Sequence, residues 1–290
     1  MNDKVAIITD SIACLPSDLI DRHRIKIVPY SFYFGGKVYK DWQDITPSEA
    51  YELFLKDPES FLSSPASPVE YLKAYRELSR YTQNIICVTL SSKLSTAYNV
   101  ALMAKKQAES EFSQTSIEVL DSQTVSAAEG FVVLAAARAA DDGKSLSEVV
   151  KAAGAMRSKV SLVAILDTIR YVYRSGRVPK LAARAGSVLN IKPMFTISSG
   201  LVRVVGLTRN KNHGINQLLK AVRKKVGQSP VYIAVMHAYA LDEAEKLKER
   251  VSSEFNCAEL WLTEFSPLMG YTCGTGTLGL AFYEGDYSDG

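Results

Sequence analysis

Three helix starts punctuate this chain, and together with the short apolar runs between them they dictate a layered α/β architecture. Thr46-Pro47-Ser48-Glu49, Ser67-Pro68-Val69-Glu70 and Ser145-Leu146-Ser147-Glu148 each set a hydroxyl ahead of a glutamate at capping-box spacing. The hydroxyl accepts from an orphan N–H of the first turn, and the glutamate reaches back to the cap N–H. Proline at the first helical position of two of them loses no helical hydrogen bond. Val5–Thr9, Ile25–Tyr33, Asn84–Leu90 and Ile117–Leu120 are the strand candidates between such helices. Gly35-Gly36 turns the second run into Lys37–Tyr39, a hairpin signal. Apolar strands alternating with helices imply a mainly parallel sheet with both faces covered.

The pattern changes after about Lys159. Val160–Leu166 reads as a strand, and Ile191–Ile197 with Leu201–Leu207 flank Ser198-Ser199-Gly200 as an antiparallel hairpin. Val231–Met236 and Glu259–Phe265 bracket an amphipathic helix over 241–255. The charge-free run from Phe265 to Tyr283 is long enough to suggest a membrane span. It contains Pro267 and four glycines, however, and reads as loop and strand. The expected organisation is two α/β domains, 1–158 with a mainly parallel sheet and 159–290 with a mixed sheet, enclosing a ligand between them.

The balance of 34 basic and 31 acidic residues, net +3, gives no argument for nucleic acid or an anionic membrane as partner. Val5–Thr9 is too short for a signal-peptide core, and no segment reads as membrane-integral. Cys14, Cys87, Cys257 and Cys273 form no Cys-x-x-Cys pair, and with three histidines in the chain a zinc site is not expected. Scattered cysteines without a secretory signal fit a reducing cytoplasm.

Hydroxyl-rich segments follow the predicted strands: Thr9-Asp10-Ser11, then Ser91-Ser92 with Ser95-Thr96, then Asp121-Ser122. A further pair, Ser63-Ser64, precedes the helix capped by Ser67. Strand carboxyl ends beside helix N-termini are where open α/β sheets bind ligands, and hydroxyls with free N–H groups suit a carboxylate or phosphate oxygen. Each segment taken alone is equally an ordinary N-cap or turn. Arg170, Arg174 and Arg177 cluster before or beside Gly176, which fits either a helix C-terminus or anion recognition; Arg203 and Arg209 fit solvent exposure as well. His237 reads as a structural histidine. No Gly-x-Ser-x-Gly, His-Glu-x-x-His or Walker sequence is present.

In joint order and spacing, six segments resemble the DegV family of fatty-acid-binding proteins that serve bacterial fatty acid kinases. They are Ala6–Ser11, Ser63-Ser64-Pro65-Ala66-Ser67-Pro68, Ser91–Tyr98, Asp121-Ser122 and the stretch from Tyr171 to Arg177 with Leu189–Pro193. The resemblance implies a long-chain fatty acid such as palmitate as ligand and no cofactor. It also implies no catalysis by the chain itself, and a dihydroxyacetone-kinase-like kinase as partner, which phosphorylates the bound carboxylate. It assigns the carboxylate to Ser63 and Ser95. Thr9, Asp10, Ser11, Ser64, Ser92, Thr96, Asp121, Ser122, Arg177, Arg209 and Thr272 are then expected around the head group. Three departures stand out: Ser63 replaces a threonine, Ser95-Thr96-Ala97 replaces Ser-Gly-Thr, and Thr272 falls where kinase-coupled members carry histidine. Burying about 15 methylenes at ~0.8 kcal/mol each offers roughly 12 kcal/mol before binding costs, so the head group needs pairing more than attraction. The competing expectation is an enzyme acting on a small carboxylated or phosphorylated metabolite with the same hydroxyls and Arg177.

Overall fold

The computed structural model describes residues 4–168, 171 and 191–285 of the 290-residue chain. In chain order the elements are β1 (Ala6–Asp10), a 3-10 turn (Ser11–Ala13), α1 (Ser17–His23), β2 (Lys26–Val28), β3 (Ser31–Phe34), β4 (Lys37–Lys40), α2 (Pro47–Lys56), β5 (Leu62–Ser64), α3 (Pro68–Leu78), β6 (Asn84–Thr89), α4 (Ala97–Glu111), β7 (Ser116–Asp121), α5 (Ala127–Asp141) and α6 (Leu146–Lys159). There follow β8 (Ser161–Ile165), β9 (Lys192–Ser198), β10 (Leu201–Thr208), α7 (Lys211–Val226), β11 (Val231–His237), α8 (Leu241–Glu254), β12 (Cys257–Glu264), α9 (Pro267–Cys273) and β13 (Leu278–Glu284). They form two compact units, one within residues 1–46 and 62–158, the other within 47–61 and 159–290. Helix α2 and its flanks, which sequence order places in the first half, therefore group with the second unit.

The first unit is built on a parallel sheet of order β2-β1-β6-β7. Its central strands, β1 and β6, are buried on both faces, as their apolar runs require. Ile8, Ile85, Cys87 and Ile117 pack on one face against Tyr71 and Tyr75 of α3 and the alanine stripe Ala101-Ala104-Ala108 of α4. Helix α5 covers the other face. Its turns are apolar all round, Gly130 admits the carbonyl of Ala13, and Glu129 meets Thr9, the neighbour of Ile8 that points the opposite way. One capping box forms as read: Ser145 N donates to Glu148 Oε2 at 2.9 Å while Glu148 N donates to Ser145 Oγ at 3.4 Å; at Ser67 only half forms, Ser67 Oγ accepting from Glu70 N at 3.4 Å while the Glu70 carboxylate turns to Lys40 Nζ at 3.1 Å.

A small antiparallel sheet of order β4-β3-β5 completes this unit. Here the structure corrects the reading of Ile25–Tyr33 as one strand. Pro29 has no N–H and interrupts the ladder. The chain leaves the parallel sheet at Val28 and joins the antiparallel one at Ser31.

The second unit holds a mixed sheet of order β10-β9-β8-β13-β11-β12, antiparallel except for the β11–β12 pair. The β9–β10 hairpin turns through Ser199 (φ 50°) and Gly200 (φ 78°), as its Ser-Gly signature predicts. Helices α7 and α8 lay Leu218, Leu219, Val222, Leu247 and Val251 on Ile165, Ile233, Val235, Leu278 and Leu280. The glycine-rich run read as loop and strand also contains a helix, α9, started by Ser266 and Pro267. Tyr51 of α2 is fully buried, donates its hydroxyl to Phe265 O at 3.0 Å, and fills the space beside Gly270 of α9. No helix among the described residues is long and apolar enough to cross a membrane.

Candidate functional site

In the parallel sheet, the chain passes from β1 to β2 on one side and returns to β6 on the other. The winding reverses between β1 and β6, and the crevice outside their carboxyl ends is where such sheets take ligands. Asp10 closes that end of β1. Its Oδ1 accepts from Ile12 N at 3.0 Å and its Oδ2 from Leu90 N at 3.2 Å, which laces the ends of β1 and β6 together. Burial pushes the Asp10 carboxyl up to about 7. Glu129, fully buried in the first turn of α5, is pushed well above the carboxylate range by burial and then by the charge of Asp10.

The hydroxyls of this edge divide by what becomes of their protons. Thr9 Oγ1 donates to Glu129 Oε1 at 3.3 Å. Ser92 Oγ donates to Asp121 Oδ2 at 2.5 Å, and the Asp121 carboxylate also accepts from Ser92 N and Gln123 N. Ser122 Oγ donates to Thr124 O at 3.3 Å, and Ser64 Oγ to Pro65 O at 3.2 Å. Ser11 Oγ accepts from Tyr30 N at 3.1 Å. Thr96, the N-cap of α4, is exposed and makes no side-chain cap bond. A hydroxyl has one proton, so those given to internal acceptors cannot also serve an anion.

Ser63 and Ser95 differ. Ser63 is half-buried on β5, and its hydroxyl makes no hydrogen bond among the described residues. Ser95 is half-buried ahead of α4; its Oγ accepts from Ala97 N at 3.3 Å and lies 2.8 Å from the Tyr30 hydroxyl. Tyr30 also links the two serines. Asp41 N donates to Tyr30 O at 2.9 Å, which extends the β3–β4 ladder by one residue. Alternation then puts Tyr30 on the same face as Phe32, and Ser63 pairs directly with Phe32. Ser63 is thus a diagonal neighbour of Tyr30, about 7–8 Å away.

Tyr30 and Glu129 were not singled out from the sequence. Pro29 just ahead of Tyr30, and a lone glutamate in an otherwise apolar helix, were the available signals. A cleft of about 330 Å³ beside Asp10 and Ser11 is mostly apolar, but Asp21 and Asp41 also line it, which disfavours an anion there. Of the remaining expected residues, Arg209 is exposed just after β10 and Thr272 is half-buried in α9, both in the second unit. Arg177 lies outside the described residues. His237 is buried and accepts from Ala240 N through Nδ1 at 3.3 Å, and burial lowers it to about 4, so the ring is neutral.

A family model described as "Uncharacterised protein, DegV family" matches residues 4–285. The chain belongs to the DegV family. A DegV domain-containing protein of Clostridium acetobutylicum is 31% identical over 284 residues, 97% of this chain and 99% of that protein. A solved structure from Thermus thermophilus, described as fatty acid binding of a DegV family protein, matches with a TM-score of 0.87 at 27% identity. It covers 97% of this chain and 99% of that one. A stearic acid-binding protein from Eubacterium ventriosum superposes with a TM-score of 0.88, covering 98% of each chain; at 23% identity that likeness speaks for the DegV fold.

Proposed function

We propose that this DegV chain binds a long-chain fatty acid, holds its carboxylate through Ser63 and Ser95, and presents it to a dihydroxyacetone-kinase-like fatty acid kinase. In this reading the chain is a carrier and catalyses nothing itself. The observation that carries the head-group assignment is the division of protons at the sheet edge: Thr9, Ser64, Ser92 and Ser122 give theirs to internal carboxyl or carbonyl oxygens, whereas the half-buried Ser63 and Ser95 do not and share Tyr30 as a neighbour. The fatty-acid-binding relative from Thermus thermophilus supports the choice of ligand.

The charge of the edge argues against the competing enzyme on a phosphorylated metabolite. Asp10, which titrates at about 7, and the Asp121 carboxylate stand at this edge, and a dianion would meet them at greater cost than a monoanionic carboxylate.

Native mass spectrometry of the recombinant chain, before and after denaturation, tests the reading. A released ion with the mass of a C16–C18 fatty acid is the expected result. An apo mass with no uptake of added palmitate or oleate would replace the carrier by the metabolite enzyme.

A further inference from the structure

A serine hydroxyl offers one proton and two lone pairs. At Ser95 both lone pairs have a donor within reach: Ala97 N at 3.3 Å and the Tyr30 hydroxyl at 2.8 Å. Between a phenol and an aliphatic hydroxyl, the phenol is the stronger acid and the natural donor. With Tyr30 donating, Ser95 can only donate, and its proton is left for whatever occupies the site.

Tyr30 is well placed to impose this. It is 5% exposed, its N–H is held by Ser11 Oγ at 3.1 Å, and its carbonyl by Asp41 N at 2.9 Å. Its backbone is pinned from both sides at the crossing between the two sheets.

We infer that Tyr30 is a specificity-determining residue: it makes Ser95 an obligate donor, so that the site selects an ionised carboxylate over neutral polar head groups. The inference rests on the fatty-acid reading of Ser63 and Ser95 and adds a rule about head-group chemistry. A carboxylate only accepts, and fits. An alcohol cannot place its own proton on Ser95, which has no lone pair left, and must use Ser63 instead. It then exchanges neutral hydrogen bonds with the pair, whereas a carboxylate takes charge-assisted bonds from both serines, which are roughly twice as strong.

The test compares hexadecanoic acid with hexadecan-1-ol, which share the alkyl chain, on the full chain by isothermal titration. The wild type is expected to prefer the acid by about tenfold or more. In Tyr30→Phe, Ser95 regains an open lone pair. Acid affinity falls, alcohol affinity does not, and the ratio narrows about tenfold. In a Ser95→Ala background, Tyr30→Phe changes neither affinity, because its effect runs through Ser95.

Equal losses for acid and alcohol, or an undiminished effect in the Ser95→Ala background, would assign Tyr30 a packing role and overturn the inference. Should Tyr30→Phe fail to fold in a thermal melt, the wild-type ratio decides alone, and a value near one overturns the inference. Equal binding of acid and alcohol by the wild type leaves the fatty-acid reading standing; uptake of neither removes both.

Discussion

Glu129 keeps its proton beside Asp10: both side chains are fully buried, and burial first, then the Asp10 charge, raises Glu129 well above its ordinary value. Asp10 itself is raised from 3.8 to about 7. A carboxyl with a raised folded-state value binds a proton in the native state that the unfolded chain has already released. Its contribution is therefore favourable below about pH 4, declines as pH rises, and is fully lost above about 7, at about 1.4 kcal/mol per unit in between. Asp10→Asn removes this titration and keeps an N-cap acceptor for Ile12 N. Relative to wild type, its urea midpoint is expected to improve steadily between pH 5 and pH 7 and to level off above that. Parallel pH profiles for the two proteins would show that Asp10 does not titrate in this window.

Much of this fold is readable from local signals. The Ser67 cap, the capping box at Ser145, the Gly35-Gly36 and Ser199-Gly200 turns and the apolar β1 and β6 runs act through short-range sterics and hydrogen bonding, and each lies where its residues predict. What was not readable depends on tertiary context. Helix α9 is short, and its Gly270 is explained by the Tyr51 ring, remote in sequence. The grouping of α2 with the second unit is likewise a matter of long-range packing. At the site, the sequence marks a surplus of hydroxyls but not which protons are taken. Asp121 claims that of Ser92 and Glu129 that of Thr9, through contacts visible only once the sheet order is known.

That division predicts opposite outcomes for neighbouring serines. Ser63→Ala with Ser95→Ala should weaken palmitate binding by about tenfold or more, with a loss of stability of about 1–3 kcal/mol that comes from Ser95 alone, whose oxygen is bonded to Ala97 N and the Tyr30 hydroxyl. Ser92→Ala should leave affinity unchanged and destabilise the fold by about 1–3 kcal/mol, because Asp121 loses a charge-assisted bond. Titration of palmitate and thermal melts on the three proteins check this; Ser92→Ala losing affinity as the double mutant does would undo the assignment.

Gly270 and Tyr51 give a packing prediction independent of ligand. A Cβ at Gly270 would overlap the Tyr51 ring, which cannot retreat because it is fully buried and its hydroxyl is bonded to Phe265 O. Gly270→Ala is expected to cost about 1–3 kcal/mol in urea unfolding. Adding Tyr51→Leu should recover part of that loss by vacating the overlap, although Tyr51→Leu alone is destabilising. Simple additivity of the two changes would mean that the residues do not contest the same space.

Thr272 bears on the kinase half of the proposed function. It stands where the resemblance expects a histidine associated with the phosphorylated head group, and its hydroxyl makes no hydrogen bond among the described residues. A threonine there offers a neutral donor, whereas histidine can carry positive charge near neutral pH and stabilise a forming phosphate. With a fatty acid kinase from a kinase-coupled system, the palmitate-loaded chain is expected to support acyl phosphate formation slowly, and Thr272→His to raise the rate without changing palmitate affinity. The position is half-buried in α9, so a thermal melt must accompany the rate. Fast turnover by the Thr272 protein would show that the histidine is dispensable for presenting the carboxylate. A folded Thr272→His variant with no gain would locate the defect in kinase docking and not at this residue.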